Sequence, residues 1–260
     1  MIAIYIAGGI SGAHLNPAIS IMLYIYRGFP LSKLPSYFTA QVLGAFLATL
    51  ITFAVFQPGL IALHAQQLTI QNKLHLITAT LGPRPVEVLI NFLTFPRQIW
   101  VSTSTAFLTE LVGTTVLAIS VLALGDDTNA PPGAGMNAFI VGLLITVLGM
   151  AFGYNTGLAM NPARDFGPRL ALAALGYSSR PNPSLWADGY WFTVNWCAPI
   201  CGTILGGFLY DSMIFVGGES PVNYPMKRIR RAARKWRMRW RARFGRTKKV
   251  VEGIKDEVVG

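Results

Sequence analysis

The sequence predicts an all-α membrane protein. Of its 260 residues, 52% are apolar and only 13% are charged, whereas soluble domains carry roughly 25% charged residues. Four apolar runs approach or exceed the roughly 20 residues that a helix needs to cross the hydrocarbon core. Two shorter apolar runs begin with the same tripeptide, which indicates an internal repeat. These features exclude a disordered chain and argue against a water-soluble enzyme.

Four complete spans are predicted, and they are nearly free of charged residues. They cover residues 36–56, 106–124, 137–154 and 190–215. The fourth contains Pro199, which should kink the helix or mark the start of its regular part. Trp191, Phe192 and Trp196 open the same span, and aromatic residues of this kind are typical of a membrane interface.

The two shorter apolar runs are about half a membrane thick and cover residues 17–26 and 162–175. Each follows an Asn-Pro-Ala sequence, and the two sequences are 145 residues apart. Paired, interrupted hydrophobic segments in corresponding positions are typical of channels and transporters built from repeats. The offset divides the chain into two halves. An odd number of spans in each half would make the repeat inverted in the membrane.

The Asn-Pro-Ala sequences predict capped half-helices. Pro17 and Pro162 suit the first helical position, where the missing N–H would have no partner anyway. Asn16 and Asn161 suit the N-cap, because the side-chain oxygen can accept a backbone N–H and leave the amide group as a donor. Each half-helix adds about half a positive charge at its N-terminus. Two of them meeting at the bilayer centre would disfavour cations and accept a neutral oxygen.

We expect residues 1–215 to form one channel domain. Its parts are a first-half segment 1–56, a long extracytoplasmic loop 57–104 and a second half 105–215. One or two short helices outside the membrane are expected in the loop, because connections above about 15 residues seldom lack structure or function. Residues 216–260 form a basic tail, which should be cytoplasmic because Lys and Arg are enriched on that side.

The net charge of +11 is concentrated in this tail. Residues 1–226 contain eight basic and eight acidic residues, whereas residues 227–249 contain thirteen Lys or Arg and no acid. A polybasic segment directly after a span is suited to the anionic cytoplasmic leaflet, and nucleic acid is not expected as a partner.

An apolar stripe runs through the basic segment at helical spacing. It consists of Ile229, Ala233, Trp236, Trp240 and Phe244. Arg230 and Arg234 are among the basic residues that flank it. Such a helix could lie on a membrane surface or in the groove of a calmodulin-like protein, and a disordered positive tail is the other interpretation.

The sequence resembles the major intrinsic proteins, which are also called aquaporins. Within that family it resembles the aquaglyceroporin branch in particular. The resemblance runs from about Ile2 to Phe215. It rests on His14-Leu15-Asn16-Pro17-Ala18, on the run from Asn161 to Arg169, and on Gln41, Gly44, Glu110 and Gly142. It implies six tilted helices and two half-helices per pore, and passive movement of water, glycerol and other small polyols. A homotetramer or an assembly with full-length relatives is expected, in the plasma membrane or in an internal membrane.

The resemblance also implies a set of site residues. Those expected to contact the permeant are Asn16, Asn161, Arg164, His14, Leu158, Gly157, Ala159 and Met160. Those expected to support them are Glu110, Asp165, Pro17, Pro162 and Gln41. Arg164 corresponds to the arginine of the outer constriction, and Asp165 is typical of polyol channels. Leu158 departs from the family, which has an aromatic residue there.

Several charged or titratable residues can also be interpreted individually, apart from the resemblance. Glu110 should accept backbone N–H groups of the second loop, although a solvated helix end is the alternative. His14 is interpreted as a residue packed along the pore wall rather than as a pH gate. Arg169 and Arg180 are expected to be interfacial charges. No cofactor, metal site or catalytic motif is predicted, so the chain is not expected to be an enzyme.

The two halves are unequal in length before their motifs. Asn161 follows about 55 residues of its own half, whereas Asn16 has fifteen residues before it. If the two halves correspond, their unequal lengths predict that the first transmembrane helix and most of the second are missing. Residues 1–7 are then the end of the second helix. Met1 could be a genuine start or the chain could be a fragment. A second hypothesis follows, in which the chain does not conduct and acts only by associating with a full-length channel.

Overall fold

The computed structural model describes residues 1–74, 89, 91–133, 135–177, 185–186, 189–225, 230, 233–238 and 240, with the backbone alone for 61 and 63–74. Throughout these described residues the regular secondary structure is helical. The principal helices are α1 (Ile2–Ser11), α2 (Pro17–Arg27), α3 (Leu34–Leu74), α4 (Thr103–Leu124), α5 (Met136–Thr156), α6 (Pro162–Ala174) and α7 (Tyr190–Met213). The all-α membrane class is therefore confirmed.

Within the described residues, four helical segments are long and apolar enough to cross a membrane, as predicted. They are Leu31–Leu60, Thr103–Leu124, Met136–Thr156 and Tyr190–Met213. The two half-length helices, α2 and α6, contain 11 and 13 residues. At about 1.5 Å per residue they reach only about half-way through the hydrocarbon core. The chain is a multi-pass integral membrane protein.

Helix α3 is longer than the sequence predicts. The apolar run ends at residue 56, but the helix continues to Leu74 and contains Pro58 in its interior. The prediction that residue 57 begins a connecting loop was wrong. The helix continues through Pro58 and Gly59, and most of the residues after them are good helix formers. Residues 75–88 and 90, where short helices were expected, lie outside the described residues.

Helix α7 is irregular near its start. A wide, π-helical turn covers Thr193–Cys197, and the regular α-helix begins at Ala198. Pro199 lies in the first turn of that regular part. Since proline lacks an N–H and its ring clashes with the carbonyl four residues earlier, the wider turn accommodates it. Pro199 therefore marks the start of the regular helix, which was one of the two expected outcomes.

Helices α4 and α7 form the centre of the described structure. Within their apolar windows 44% of residues are buried, against 6% for α3 and 11% for α5. Glycines allow the close approach of α4 and α7. A Cβ atom on Gly202 would lie 2.5 Å from the Leu111 carbonyl oxygen, and one on Gly206 would lie 2.6 Å from that of Thr115. Small residues at helix contacts are common in membrane proteins.

Candidate functional site

The two loops before the half-helices have the same unusual backbone. In the first loop Gly12, Ala13 and Leu15 have positive φ angles of 73°, 43° and 53°. In the second loop Gly157, Leu158 and Met160 have positive φ angles of 85°, 62° and 44°. The positions correspond pairwise at the 145-residue offset. Positive φ is costly for residues other than glycine, so its repetition indicates a conformation that the surrounding structure enforces.

Asn16 and Asn161 cap their half-helices as the sequence predicts. Both have a φ of −155°, and their Oδ1 atoms accept the backbone N–H of Ala18 at 2.9 Å and of Ala163 at 3.0 Å. Pro17 and Pro162 occupy the first helical position and are buried. The four side chains therefore fix where each half-helix begins.

The two caps are linked across the repeat. The Asn16 amide donates to the Met160 carbonyl oxygen, and the Asn161 amide donates to the Leu15 carbonyl oxygen, both at 2.8 Å. Each cap thus holds the loop of the other half. A carboxamide has two N–H donors, and each cap uses one of them in this bond. The arrangement brings two half-helix N-termini, with their partial positive charges, to one place.

Glu110 supports the second loop from α4. Its side chain is fully buried, and its two carboxylate oxygens accept the backbone N–H groups of Ala159 at 2.9 Å and Met160 at 2.6 Å. It also accepts the Thr156 hydroxyl. These bonds fix the orientation of the peptide groups in the second loop. Because their N–H groups point toward Glu110, the carbonyl oxygens of the same peptide groups point away from it.

Ser20 plays a comparable role in the first loop, and the sequence analysis did not identify it. Its hydroxyl donates to the Asn16 carbonyl oxygen at 3.1 Å and accepts the Gln41 side-chain amide at 3.1 Å. His14 Nδ1 lies 3.0 Å from the same hydroxyl oxygen. Ser20 therefore links the first turn of α2 to both His14 and Gln41.

Arg164 projects from the first turn of α6 and is held at its far end. Its Nη1 atom donates to the Phe92 carbonyl oxygen at 2.8 Å. Phe92 and Leu93 are buried against Leu60 and Leu172, so the segment that supplies this carbonyl packs on α3 and α6. The guanidinium group is therefore positioned by a segment that is distant in sequence.

Asp165 and Arg169 form a buried ion pair behind Arg164. Their side chains are 0% and 1% exposed. Asp165 also accepts the backbone N–H and the hydroxyl of Thr94, while Arg169 donates to the carbonyl oxygens of Thr94 and Leu185. The interpretation of Arg169 as an interfacial charge was wrong, because these partners satisfy it in the interior. Arg180 lies outside the described residues.

A cavity of about 600 Å³ lies where the two loops meet. The site residues that line it are His14, Leu15, Asn16, Leu158, Ala159, Met160, Asn161 and Arg164. Its remaining wall is mainly apolar and includes Ile19, Val121 and Ile145. Gly157 is not among the lining residues. It ends α5 with its N–H bonded to the Gly153 carbonyl, and the Arg97 guanidinium packs against it.

A second, larger cavity of about 1340 Å³ runs along α3. It is lined by small side chains of that helix, among them Gly44, Ala45 and Ala48, together with Gln41. It reaches His14, Asn161 and Arg164 from the other side. The residues of the two loops are therefore accessible from two directions in the described part of the chain.

The sequence profile of the family described as Major intrinsic protein matches residues 1–210. The chain belongs to this family. Within the major intrinsic proteins it is similar to Aquaglyceroporin-4 of Botryotinia fuckeliana (strain B05.10), with 58% identity over 253 residues. That alignment covers 97% of the chain and 32% of the relative.

Other aquaglyceroporins are similar as well. Aquaglycerol porin AQY3 of Saccharomyces cerevisiae is 39% identical over 225 residues, which is 86% of the chain and 32% of that protein. The X-ray structure of the aquaglyceroporin from Plasmodium falciparum has a TM-score of 0.63 and 30% identity, covering 81% of the chain and 76% of that structure. The chain spans about a third of the length of the first two relatives.

Proposed function

We propose that the chain forms a passive channel for glycerol, other small neutral polyols and water. The observation that carries the proposal is the reciprocal bonding of the two caps, Asn16 to Met160 and Asn161 to Leu15, at one cavity. The proteins it resembles are named aquaglyceroporins. The proposal assigns no catalytic activity.

The cavity walls suit a polyol, which has hydroxyl groups along one side and carbon along the other. Loop carbonyl oxygens can accept hydrogen bonds from its hydroxyls, and the second N–H of each cap and Arg164 can donate to its oxygens. The apolar wall, with residues such as Ile19 and Val121, faces the carbon backbone. Leu158 narrows the cavity less than an aromatic residue would, so we expect glycerol to pass as well as water.

Cations and protons are excluded in this proposal by fixed positive charge. Two half-helix N-termini contribute partial charges, and Arg164 adds a full one. A cation entering the cavity would lose its water shell without gaining anionic ligands. A neutral molecule that exchanges hydrogen bonds one at a time meets no comparable barrier.

We further infer the setting of the channel. The plasma membrane is the proposed location, with the basic tail in the cytoplasm and the segment around 57–104 on the opposite side. The assembly is proposed to be a homotetramer or a complex with full-length relatives. The exposed apolar faces of α3 and α5 support an assembly, since few of their residues are buried within the chain.

The test is glycerol permeation into proteoliposomes that contain this chain alone, followed by stopped-flow light scattering. The proposal predicts faster reswelling than in protein-free vesicles of the same lipid. An unchanged rate would contradict it. The non-conducting alternative makes a different prediction. Glycerol flux would then appear only after a full-length aquaglyceroporin is added, and it would differ from the flux of that full-length protein alone.

A further inference from the structure

The C-terminal segment beyond α7 begins with a connection that is bonded back onto the end of α7. Asn223 donates from its side-chain amide to the carbonyl oxygens of Asp211 and Phe215, which ties the connection to the end of α7. Asp211 is paired with Arg27 of α2 at 2.9 Å, and the Arg27 guanidinium lies 3.9 Å from the centre of the Phe215 ring. The described connection up to residue 225 is therefore held at the end of α7.

The described part of the tail is an exposed helix with a tryptophan pair on it. Residues 233–238 are helical. The rings of Trp236 and Trp240 are stacked, with centroids 6.4 Å apart and an interplanar angle of 28°. The two side chains are 65% and 51% exposed. Large aromatic surfaces of this kind are normally buried or placed at a membrane interface.

The charged residues of the segment 227–249 are all of one sign. Residues 227–249 hold thirteen Lys or Arg and no acidic residue, while residues 1–226 are balanced. The described arginines Arg230, Arg234 and Arg237 are exposed. At 100° per residue the stripe that contains Ala233, Trp236 and Trp240 occupies one narrow face, and Met238 lies on the opposite face.

We propose that the described helical residues 230, 233–238 and 240 lie as part of an amphipathic surface on the anionic lipid leaflet next to the end of α7, with Trp236 and Trp240 inserted at the headgroup level. Charge complementarity selects anionic lipid, and the tryptophan face supplies the apolar contact that a surface helix needs. The short connection after α7 selects the membrane in which the chain itself sits. An acidic groove-forming protein would have to be recruited from solution, whereas the leaflet is always adjacent.

The proposal can be tested with the full chain in lipid nanodiscs, where both membrane faces are accessible and the orientation of the tail does not matter. A nitroxide label is attached at Ala233→Cys, or at Met238→Cys as the matched control, after Cys197→Ser and Cys201→Ser remove the native thiols. The discs are phosphatidylcholine alone or with about 30% phosphatidylserine. Collision of the label with oxygen and with a water-soluble nickel complex reports its depth.

In the anionic discs we expect the label at Ala233 to be several-fold less accessible to nickel than in the neutral discs. The label at Met238 should stay accessible in both. The replacements Trp236→Ser and Trp240→Ser together should return the Ala233 label to water, and Arg230→Gln, Arg234→Gln and Arg237→Gln together should weaken the lipid dependence.

Equal accessibility at Ala233 in the two lipids would overturn the proposal. So would protection at Ala233 that appears only when an acidic groove-forming protein such as calmodulin is added, because the segment would then have a protein partner. Neither result depends on glycerol flux, so the channel proposal can stand or fall separately.

Discussion

Two buried charged residues, Glu110 on α4 and Arg169 on α6, hold the site in place. Glu110 fixes the second loop through the N–H groups of Ala159 and Met160. Arg169 and Asp165 fix the residues near Thr94, whose neighbour Phe92 binds Arg164. The resemblance implied the role of Glu110. The two carbonyl partners of Arg169 could not be predicted, because Thr94 and Leu185 are distant in sequence and no motif marks them.

Replacing Glu110 tests the support of the second loop. In Glu110→Gln one carboxylate oxygen becomes an amide group, which cannot accept the N–H of Ala159 or Met160. An unsatisfied buried donor costs about 1–3 kcal/mol, so we expect glycerol flux per channel to fall about tenfold. The matched control is Glu219→Gln, at an exposed residue after α7. Equal flux in the two variants, at equal abundance, would show that the loop does not need the carboxylate.

Replacing Arg164 tests the barrier to charge. Arg164→Val removes the full positive charge and leaves the partial charges of the half-helices. We predict that proton or small-cation leakage rises while glycerol still passes, measured with a pH-sensitive dye inside proteoliposomes. Arg230→Val, in the tail, should leave the leakage unchanged. A proton conductance that does not differ between Arg164→Val and the original chain would remove Arg164 from this role.

At the level of elements, composition was enough to predict four spans and two half-helices, because both depend on local apolar length. Composition did not predict the features that depend on packing or on helix propensity. Helix α3 runs beyond its apolar stretch to Leu74. The glycines differ in a way that only packing shows: Cβ atoms on Gly206 and Gly207 would meet neighbouring main or side chains, but one on Gly44 would meet nothing within 4 Å in the described structure.

This contrast gives a matched pair of variants. Gly206→Ala places a Cβ atom 2.6 Å from the Thr115 carbonyl oxygen and must separate α4 from α7, whereas Gly44→Ala points into open space. Overpacking of this kind costs about 1–3 kcal/mol. We expect Gly206→Ala to lower the temperature at which the detergent-solubilised protein aggregates, and Gly44→Ala to leave it unchanged. The reverse order would contradict the packing described for α4 and α7.

For the whole molecule, the sequence predicted the repeat but not how the halves join. The 145-residue offset between the motifs is visible in the sequence. The reciprocal bonds from Asn16 to Met160 and from Asn161 to Leu15 are not, because they depend on two loops meeting in space with matching positive φ angles. The only sequence sign of that backbone was a glycine at the start of each loop, Gly12 and Gly157.

Charge distribution sets the expected orientation of the whole molecule. Since Lys and Arg concentrate in residues 227–249, we predict a cytoplasmic tail. Trypsin added to intact cells should leave a C-terminal tag attached, and trypsin added after permeabilisation should remove it, with a soluble cytoplasmic protein as the control for leakage. Removal of the tag from intact cells would reverse the proposed topology.

The central claim is that the two reciprocal caps create one path for neutral solutes, and replacing both caps tests it most directly. Asn16→Asp with Asn161→Asp keeps an oxygen to cap each half-helix but removes both amide donors and sets carboxylates against the Met160 and Leu15 carbonyl oxygens. The measurement is glycerol-driven reswelling of proteoliposomes at equal protein content, with Asn129→Asp in an exposed connection as the control. The account predicts that the double variant falls to the rate of protein-free vesicles while Asn129→Asp matches the original chain. A double variant that moves glycerol as fast as the original chain would contradict the account.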